Sequence, residues 1–370
     1  MFLQKLSVIN YKSLKQIELD LSPKMNCFFG DNGMGKTNLL DAVFYLSFCK
    51  SHTNPVDTQN IRHDEEFFVI QGFYVDGERP EEIYCGFKRR QKKHFRRNKK
   101  EYERLSDHIG LIPLVLVSPA DNELIQGGSE ERRKFMDMVV SQYDREYLDA
   151  LIRYNKALMQ RNALLKETAY SDDTLFDIWE EQMTETGAVI YEKRCRFVDE
   201  FTPGFREYYD YICRSSEQVS LCYESHLKHD DLSVLLKNSR EKDRIIGFTR
   251  KGVHKDDLTM LLGEYPIKRI GSQGQNKTYL IALKLAQFNF LKKTSARTPI
   301  LLLDDIFDKL DAKRVEQIIQ LVAQDTFGQI FITDTNREHL LEILNKIGSD
   351  YKIFQMKDGE VKKLTSERDG

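Results

Sequence analysis

An octapeptide at residues 30–37 restricts the folds open to this chain. It matches G-x-x-x-x-G-K-[ST], a loop whose glycines let backbone N–H groups turn inward around phosphate oxygens. An apolar strand at 26–29 precedes it and a helix is expected from Asn38 to about Phe48, so that the helix adds its positive amino-terminal end. The pattern predicts an α/β nucleotide-binding fold with these phosphate-binding residues: Gly30, Asp31, Asn32, Gly33, Met34, Gly35, Lys36 and Thr37.

Side-chain chemistry assigns roles around this loop. Lys36 would place a cation at the β- and γ-phosphates, and the Thr37 hydroxyl would bind Mg²⁺. A second Mg²⁺ ligand is expected where four apolar residues, 300–303, lead to Asp304. Asp305 is then placed to orient or deprotonate the attacking water, which makes it and Lys36 the predicted catalytic residues. The sequence contains no N-K-x-D guanine-recognition motif, which favours ATP as the nucleotide.

A second anion-binding segment lies at 271–275, before a helical stretch at 277–286. It resembles the S-x-G-Q signature of the ABC ATPase superfamily, which contacts the γ-phosphate held by the other subunit. The resemblance implies an ATP-sandwich dimer with four further nucleotide contacts: Ser272, Gln273, Gly274 and Gln275. Residues 308–311 resemble the D-loop of that superfamily, and Asp334 stands at its switch position, where histidine is common.

Hydrophobic periodicity outlines the rest of the chain. Residues 2–9, 17–21 and 67–117 read as strands, with turns expected at Asp76-Gly77 and near Asn98. Between about 137 and 239, apolar residues recur at helical spacing in two runs, and the second run is expected to end at Pro203-Gly204. We therefore expect an α/β head in two parts, 1–137 and 245–370, interrupted by a helical insert at 138–244.

The charge balance leaves nucleic-acid binding to a local patch. The chain has 56 Lys and Arg against 58 Asp and Glu, a net charge of -2. A run between residues 88 and 100 holds nine cations, and charge on both faces of a strand pair favours phosphate contacts. The alternative is a solvated hairpin neutralised by Glu101 and Glu103. The candidate DNA contacts are Lys88, Arg89, Arg90, Lys92, Lys93, Arg96 and Arg97.

Together with these motifs, further segments resemble the RecF family of bacterial recombination-mediator ATPases, whose heads are built like those of SMC-type proteins. Val253 and Lys255 stand where that family usually has Pro and Arg. Arg132 and Arg133 lie in one of the matching segments, where they either contact phosphate or support the head. The resemblance runs from end to end of the chain and includes residues 117–121, 128–137, 154–162 and 252–258.

This resemblance implies an ABC/SMC-type P-loop ATPase head with a mixed sheet, using ATP and Mg²⁺ and forming an ATP-dependent homodimer. Hydrolysis would be slow, because Asp305 is one methylene shorter than the glutamate of most ABC ATPases. The implied role is DNA binding near gaps and junctions in repair and replication restart, with RecO and RecR as partners in loading RecA. No apolar run reaches the length of a membrane span, so we expect a soluble, cytoplasmic protein without membrane contact.

Two other functions stay open at this stage. One is a DNA-binding module in which ATP holds the dimer together without productive hydrolysis. The other is a transporter-type nucleotide-binding subunit, which the long helical insert at 138–244 disfavours.

Overall fold

The computed structural model describes residues 1–166, 173–213, 217–306, 312–322, 327–335 and 350–364. Its strands are β1 (Phe2–Tyr11), β2 (Leu14–Asp20), β3 (Met25–Phe29), β4 (Phe67–Asp76), β5 (Arg79–Lys88), β6 (His94–Arg97), β7 (Lys100–Glu101), β8 (Leu114–Val117), β9 (Val219–Glu224), β10 (Asp257–Leu262), β11 (Tyr265–Pro266), β12 (Ile300–Asp304), β13 (Ile330–Asp334), β14 (Tyr351–Lys357) and β15 (Glu360–Leu364). Its helices are α1 (Lys36–Phe48), α2 (Glu123–Gln126), α3 (Ser129–Val140), α4 (Arg145–Leu164), α5 (Asp173–Cys213), α6 (Leu232–Ile246), α7 (Ile267–Ile270), α8 (Gln273–Thr294) and α9 (Ala312–Val322).

The chain divides into two compact units. The first unit consists of Met1–Asp121 and Gln287–Gly370, and the second of Asn122–Ala286. The second unit therefore takes in β9, β10, β11 and most of α8, and it extends past both ends of the helical insert predicted at 138–244. The three-segment division drawn from periodicity stays a prediction.

A mixed sheet in the first unit carries the phosphate loop. Its strand order is β15-β14-β3-β13-β12-β8, in which β14, β3, β13, β12 and β8 run parallel and β15 pairs antiparallel with β14. Every residue of β3, β8, β12 and β13 is buried, as expected for parallel strands covered on both faces. The strands predicted at 26–29 and 300–303 are confirmed. Their carboxyl ends lie at one edge of the sheet, because neighbouring parallel strands end together.

An antiparallel sheet, also in the first unit, has the order β2-β1-β4-β5-β6-β7. The predicted turns are confirmed here: Gly77 (φ 64°) lies between β4 and β5, and Asn98 and Lys99 (φ 49° and 68°) lie between β6 and β7. Helix α1 contacts strands of both sheets and is apolar and buried around nearly its whole circumference. It therefore forms the core that joins the two sheets.

Helix α1 has one buried acid, Asp41, which the surrounding chain satisfies completely. Its carboxylate accepts hydrogen bonds from the Tyr11 hydroxyl (2.6 Å), the Ser51 hydroxyl (2.7 Å) and the His52 backbone N–H (2.7 Å), and it pairs with Lys12. Burial of a carboxylate is tolerated only with such partners. The network fixes the turn after β1 and the segment after α1 to the helix that starts at the phosphate loop.

Long helices dominate the second unit, as the periodicity predicted. Tyr147 and Tyr154 of α4 and Met183, Ile190 and Phe197 of α5 are all buried. The predicted end of the second run at Pro203-Gly204 is wrong, because α5 continues to Cys213 with Pro203 inside it.

Packing explains why the helix continues past that proline. Phe205, Tyr209 and Ile212 extend the buried face of α5. The ring centroids of Phe205 and Tyr209 lie 4.7 and 6.0 Å from the ring centroid of Tyr279. Burial of these large side chains outweighs the one backbone hydrogen bond that Pro203 removes.

Two fully buried arginines hold the helices of the second unit together. Arg161 donates to Glu180 (3.0 Å), Asp243 (3.0 Å) and Thr249 (2.8 Å), which joins α4 to α5 and α6. Arg194 donates to Asp137 (2.8 Å), Asp256 (2.9 Å) and the carbonyl of Val253 (2.9 Å). Arg194 thus joins two of the segments that resemble the RecF family, 128–137 and 252–258.

Candidate nucleotide and DNA-binding site

The predicted phosphate loop lies between β3 and α1, where glycine is required at specific positions. Gly35 is the residue before α1 and has φ 98°, in the left-handed region that favours glycine. A Cβ at Gly35 would lie 2.9 Å from Ser13 Oγ, and one at Gly30 would lie 2.4 Å from the carbonyl oxygen of Met356. The Lys36 side chain returns over the loop, where Nζ donates to the carbonyls of Gly30 (2.7 Å) and Asp31 (3.2 Å).

The predicted magnesium ligands are in direct contact. Thr37 Oγ1 donates to Asp304 Oδ2 at 2.8 Å, although 267 positions separate the two residues in the sequence. Asp304 is 3% exposed and ends β12 at the same sheet edge as the phosphate loop. Both side chains line a cavity of about 240 Å³, together with His52, Thr53, Ser118 and others. Hydroxyl and carboxylate oxygens are the ligands that Mg²⁺ takes in proteins, so these residues fit that ion.

Asp305, the predicted catalytic carboxylate, follows directly and has an unusual backbone. Its φ of 46° lies in the left-handed region, which is uncommon for a residue other than glycine. Its backbone N–H donates to Thr333 Oγ1 at 3.0 Å. Asp334 ends the neighbouring strand β13 and is 9% exposed. The D-loop expected at 308–311 lies outside the described residues.

The predicted signature residues belong to the second unit. Ser272 precedes α8 and forms a capping box with Gln275: Ser272 Oγ accepts from the Gln275 N–H (3.2 Å), and Gln275 Oε1 accepts from the Ser272 N–H (2.8 Å). Gln275 Nε2 also donates to Glu217 (2.7 Å), which accepts from the Tyr209 hydroxyl (2.8 Å). Ser272 and Gln273 are exposed, while Gly274 is half-buried.

The seven predicted DNA contacts fall into three groups. Lys93 and Arg97 are held by acids elsewhere in the first unit, since Lys93 lies 2.9 Å from Asp57 and Arg97 lies 2.8 Å from Glu81. Arg96 lies over the Tyr84 ring, 5.6 Å from its centroid. The other four cations are exposed near the connection from β5 to β6: Lys88, Arg89, Arg90 and Lys92.

Residues 132–137 and 252–258 support the second unit from within. Arg132 pairs with both oxygens of Asp257 (2.7 and 3.0 Å), and Arg133 donates to the Asp256 carbonyl (2.6 Å). Burial lowers the pKa of His254 to about 4, and its ring bonds the Tyr154 hydroxyl (2.8 Å) and the Thr249 carbonyl (3.0 Å). Of the two roles left open for Arg132 and Arg133, these contacts favour support of the fold.

Some important residues gave little signal in the sequence. Thr333 in β13 is one, since a threonine in an apolar strand is ordinary. Glu217 is another, because its partners Tyr209 and Gln275 lie on separate helices. Asp41 could have been found, since a lone acid within an apolar helix requires a buried partner.

A glycine-rich phosphate loop on a mixed, largely parallel sheet, with an acidic strand end beside it, defines a P-loop ATPase head of the ABC/SMC type. Residues 1–367 match the AAA ATPase domain family. The DNA replication and repair protein RecF of Phocaeicola vulgatus is 67% identical over 363 residues, covering 98% of each chain. That of Bacteroides fragilis strain YCH46 is 65% identical over 366 residues, covering 98% of this chain and 99% of the relative. The chain belongs to the RecF family and is an ATPase of DNA replication and repair.

Solved structures confirm the predicted architecture. The structure of the recombination mediator protein RecF-ATP in the RecFOR pathway superposes with a TM-score of 0.87 at 29% identity, covering 98% of each chain. An Smc head bound to the C-winged helix domain of ScpA gives a TM-score of 0.60 at 16% identity, covering 100% of this chain and 99% of the other, and shows the shared fold. Within the part of the chain that the structure describes, none of the helices combines the length and apolarity of a membrane span.

Proposed function

We propose that this ATPase is an ATP-gated DNA-binding protein of recombinational repair and replication restart. The contact between Thr37 and Asp304 (2.8 Å) carries the proposal, because it joins the phosphate loop to the acidic strand end in one site. Relatives over nearly the whole chain are named DNA replication and repair proteins. On this basis we expect ATP at residues 30–37 to control how the protein engages DNA.

The residues of the first unit suggest how ATP is held and cleaved. Bound Mg²⁺ would neutralise charge on the phosphates, with Thr37 and Asp304 as its protein ligands. Lys36 would exchange its bonds to the loop carbonyls for the β- and γ-phosphates. Asp305 would orient the attacking water or accept its proton, and its short side chain favours slow hydrolysis.

The four exposed cations near the connection from β5 to β6, within residues 88–92, are the proposed DNA contacts. Lys93 and Arg97 instead hold this part of the chain in place, because each already pairs with a carboxylate. Lys93 also donates to the carbonyl of Cys49 (2.8 Å), the residue that follows α1. Of the seven cations first considered, the proposal therefore assigns phosphate contacts to those at 88, 89, 90 and 92.

Salt dependence of DNA binding tests this assignment. Replacing the four cations at 88, 89, 90 and 92 by alanine should flatten the plot of log affinity against log salt by up to about 3 to 4 units, since each phosphate contact on duplex DNA contributes roughly 0.9. Lys93→Ala is the matched control, and it should leave the slope unchanged while lowering thermal stability. An unchanged slope in the fourfold variant would contradict the assignment.

A dimer closed by ATP is the proposed active form. Ser272 and Gly274, at the start of α8, would contact the γ-phosphate bound to Lys36 of a second copy, as the resemblance to the S-x-G-Q signature implies. The reciprocal bonds between Ser272 and Gln275 support this role, since they hold the signature turn in one conformation. RecO- and RecR-type mediators are the proposed protein partners, because a solved relative is named for the RecFOR pathway.

ATP turnover measured with and without DNA separates this proposal from a module that uses ATP only to hold two subunits together. We expect slow turnover that gapped duplex DNA alters and that Asp305→Asn removes. Turnover at the same rate in wild type and Asp305→Asn would show that the rate does not depend on this carboxylate and would favour the binding module.

A further inference from the structure

We propose that Thr333 is a positioning residue for ATP hydrolysis, which fixes the carboxylate of Asp304 and the backbone of Asp305 through one hydroxyl group. Thr333 is fully buried in β13, where its Cα pairs in register with that of Asp304 in β12. Its Oγ1 donates to Asp304 Oδ1 at 2.7 Å and accepts from the Asp305 N–H at 3.0 Å. This role rests on the proposed function, in which Asp305 acts on the attacking water.

The first effect of the hydroxyl is on the carboxylate of Asp304. Oδ2 accepts from Thr37 (2.8 Å) and Oδ1 accepts from Thr333 (2.7 Å), so the two oxygens are held from opposite sides. A carboxylate with both oxygens bound cannot rotate freely about its terminal bond. Thr333 therefore keeps the oxygen that is shared with Thr37 directed toward the phosphate loop.

Its second effect is on the backbone that follows β12. The ladder between β12 and β13 ends at the pair formed by Asp304 and Thr333, so the next N–H lies beyond the last strand pairing. That N–H belongs to Asp305, whose φ of 46° is one that residues other than glycine rarely adopt. Strained backbone at a functional site persists when its surroundings hold it, and the Thr333 hydroxyl is the acceptor that holds it here.

The two effects act on neighbouring carboxylates with different proposed roles. Asp304 would hold the metal ion and Asp305 would act on water, and both are set by the same oxygen atom. Because small displacements of reacting groups lower rates strongly, loss of this hydroxyl should reduce the rate of the chemical step more than the affinity for ATP.

Paired substitutions at Thr333 test the inference through kcat and nucleotide affinity. Thr333→Val keeps the shape and removes the hydroxyl, and it should lower kcat roughly 10- to 100-fold while the Kd for a fluorescent ATP analogue changes by less than about threefold. Thr333→Ser keeps the hydroxyl and should retain kcat within about threefold. If the valine variant fails to fold, Thr333→Ala removes the same hydroxyl with a smaller side chain and carries the same expectation.

Thr186→Val is the matched control for the loss of a buried threonine hydroxyl. Thr186 is 3% exposed, donates to the Gln182 carbonyl at 2.6 Å and belongs to the second unit. The kcat of the Thr186→Val variant should therefore equal that of the wild type.

The outcomes separate this inference from the proposed function. If Asp305→Asn loses hydrolysis while Thr333→Val stays within twofold of wild type, the positioning role is wrong and the function of Asp305 stands. If Thr333→Val and Thr333→Ser are equally slow, the role is also wrong, because the hydroxyl is then not what matters. If Asp305→Asn hydrolyses ATP at the wild-type rate, the catalytic assignment fails and the inference fails with it.

Discussion

Replacement of Arg161 by methionine tests whether the buried ion pairs hold the second unit together. Arg161 is fully buried and donates to Glu180 and Asp243 at 3.0 Å each. Methionine fills similar volume but leaves both carboxylates without this partner. Removing one member of a buried ion pair destabilises a protein by about 3–5 kcal/mol.

Neighbouring arginines place the effect at the lower end of that range. Arg240 lies 2.7 Å from Glu180, and Arg250 lies 3.0 Å from Asp243, so neither carboxylate is left without a cation. We therefore expect a loss of about 3 kcal/mol. For a unit of this size each kcal/mol lowers Tm by roughly 2–4 °C, so the expected fall is about 6–12 °C.

Thermal unfolding followed by far-ultraviolet circular dichroism measures this change, since the helices of the second unit give a strong signal. Arg153→Met is the matched control on the same helix: its partner Glu185 lies 3.5 Å away, and the two side chains are 57% and 63% exposed. An exposed pair contributes at most about 1 kcal/mol, so the control should lose less than about 4 °C. Equal Tm values for the two variants would refute the argument.

Three further predictions concern the loop, the signature and pH. Gly35→Ala should abolish binding of a fluorescent ATP analogue, because φ is 98° and the new Cβ would lie 2.9 Å from Ser13 Oγ; wild-type affinity would contradict the loop geometry. Glu217→Ala should weaken ATP-dependent dimerisation in sedimentation experiments without changing ATP affinity, because Gln275 loses its acceptor at 2.7 Å; unchanged dimerisation would exclude that role. Burial lowers the pKa of His108 to about 4. Between about pH 6.5 and 4 the unfolded chain therefore binds more protons than the folded protein. The free energy of unfolding should fall by on the order of 3 kcal/mol as pH drops through that window. His108→Gln should flatten this dependence in urea titrations, and equal slopes in both proteins would show that another group is responsible.

The positions of the phosphate loop and of Asp304 in the fold could be predicted from local sequence patterns. The glycine spacing at 30–37 requires a particular backbone, and an apolar strand ending in Asp304 brings a carboxylate to the same edge of a parallel sheet. The contact between Thr37 and Asp304 follows from that topology. The positive φ of Asp305 and the role of Thr333 depend on strand register, which the sequence does not display.

Charged residues were harder to assign, because their partners lie far away in the chain. The nine cations between residues 88 and 100 looked alike in the sequence. In the structure, Lys93 and Arg97 are neutralised by Asp57 and Glu81, which lie 36 and 16 positions away. The acids adjacent to this run in the sequence therefore account for only part of its ion pairing. Arg161 likewise shows no sign of burial in its own segment. Helix α5 passes through Pro203 for a similar reason, since distant packing partners outweigh a local helix-breaking signal.

Sedimentation velocity with ATP and Mg²⁺ tests most directly whether nucleotide bound at the phosphate loop gates assembly. We expect a dimer for the wild type with ATP and monomers for two variants. Lys36→Ala cannot hold the phosphates, and Ser272→Arg still binds ATP but blocks the second subunit. A wild-type protein that stays monomeric at saturating ATP, or a Ser272→Arg variant that dimerises as the wild type does, would contradict this expectation.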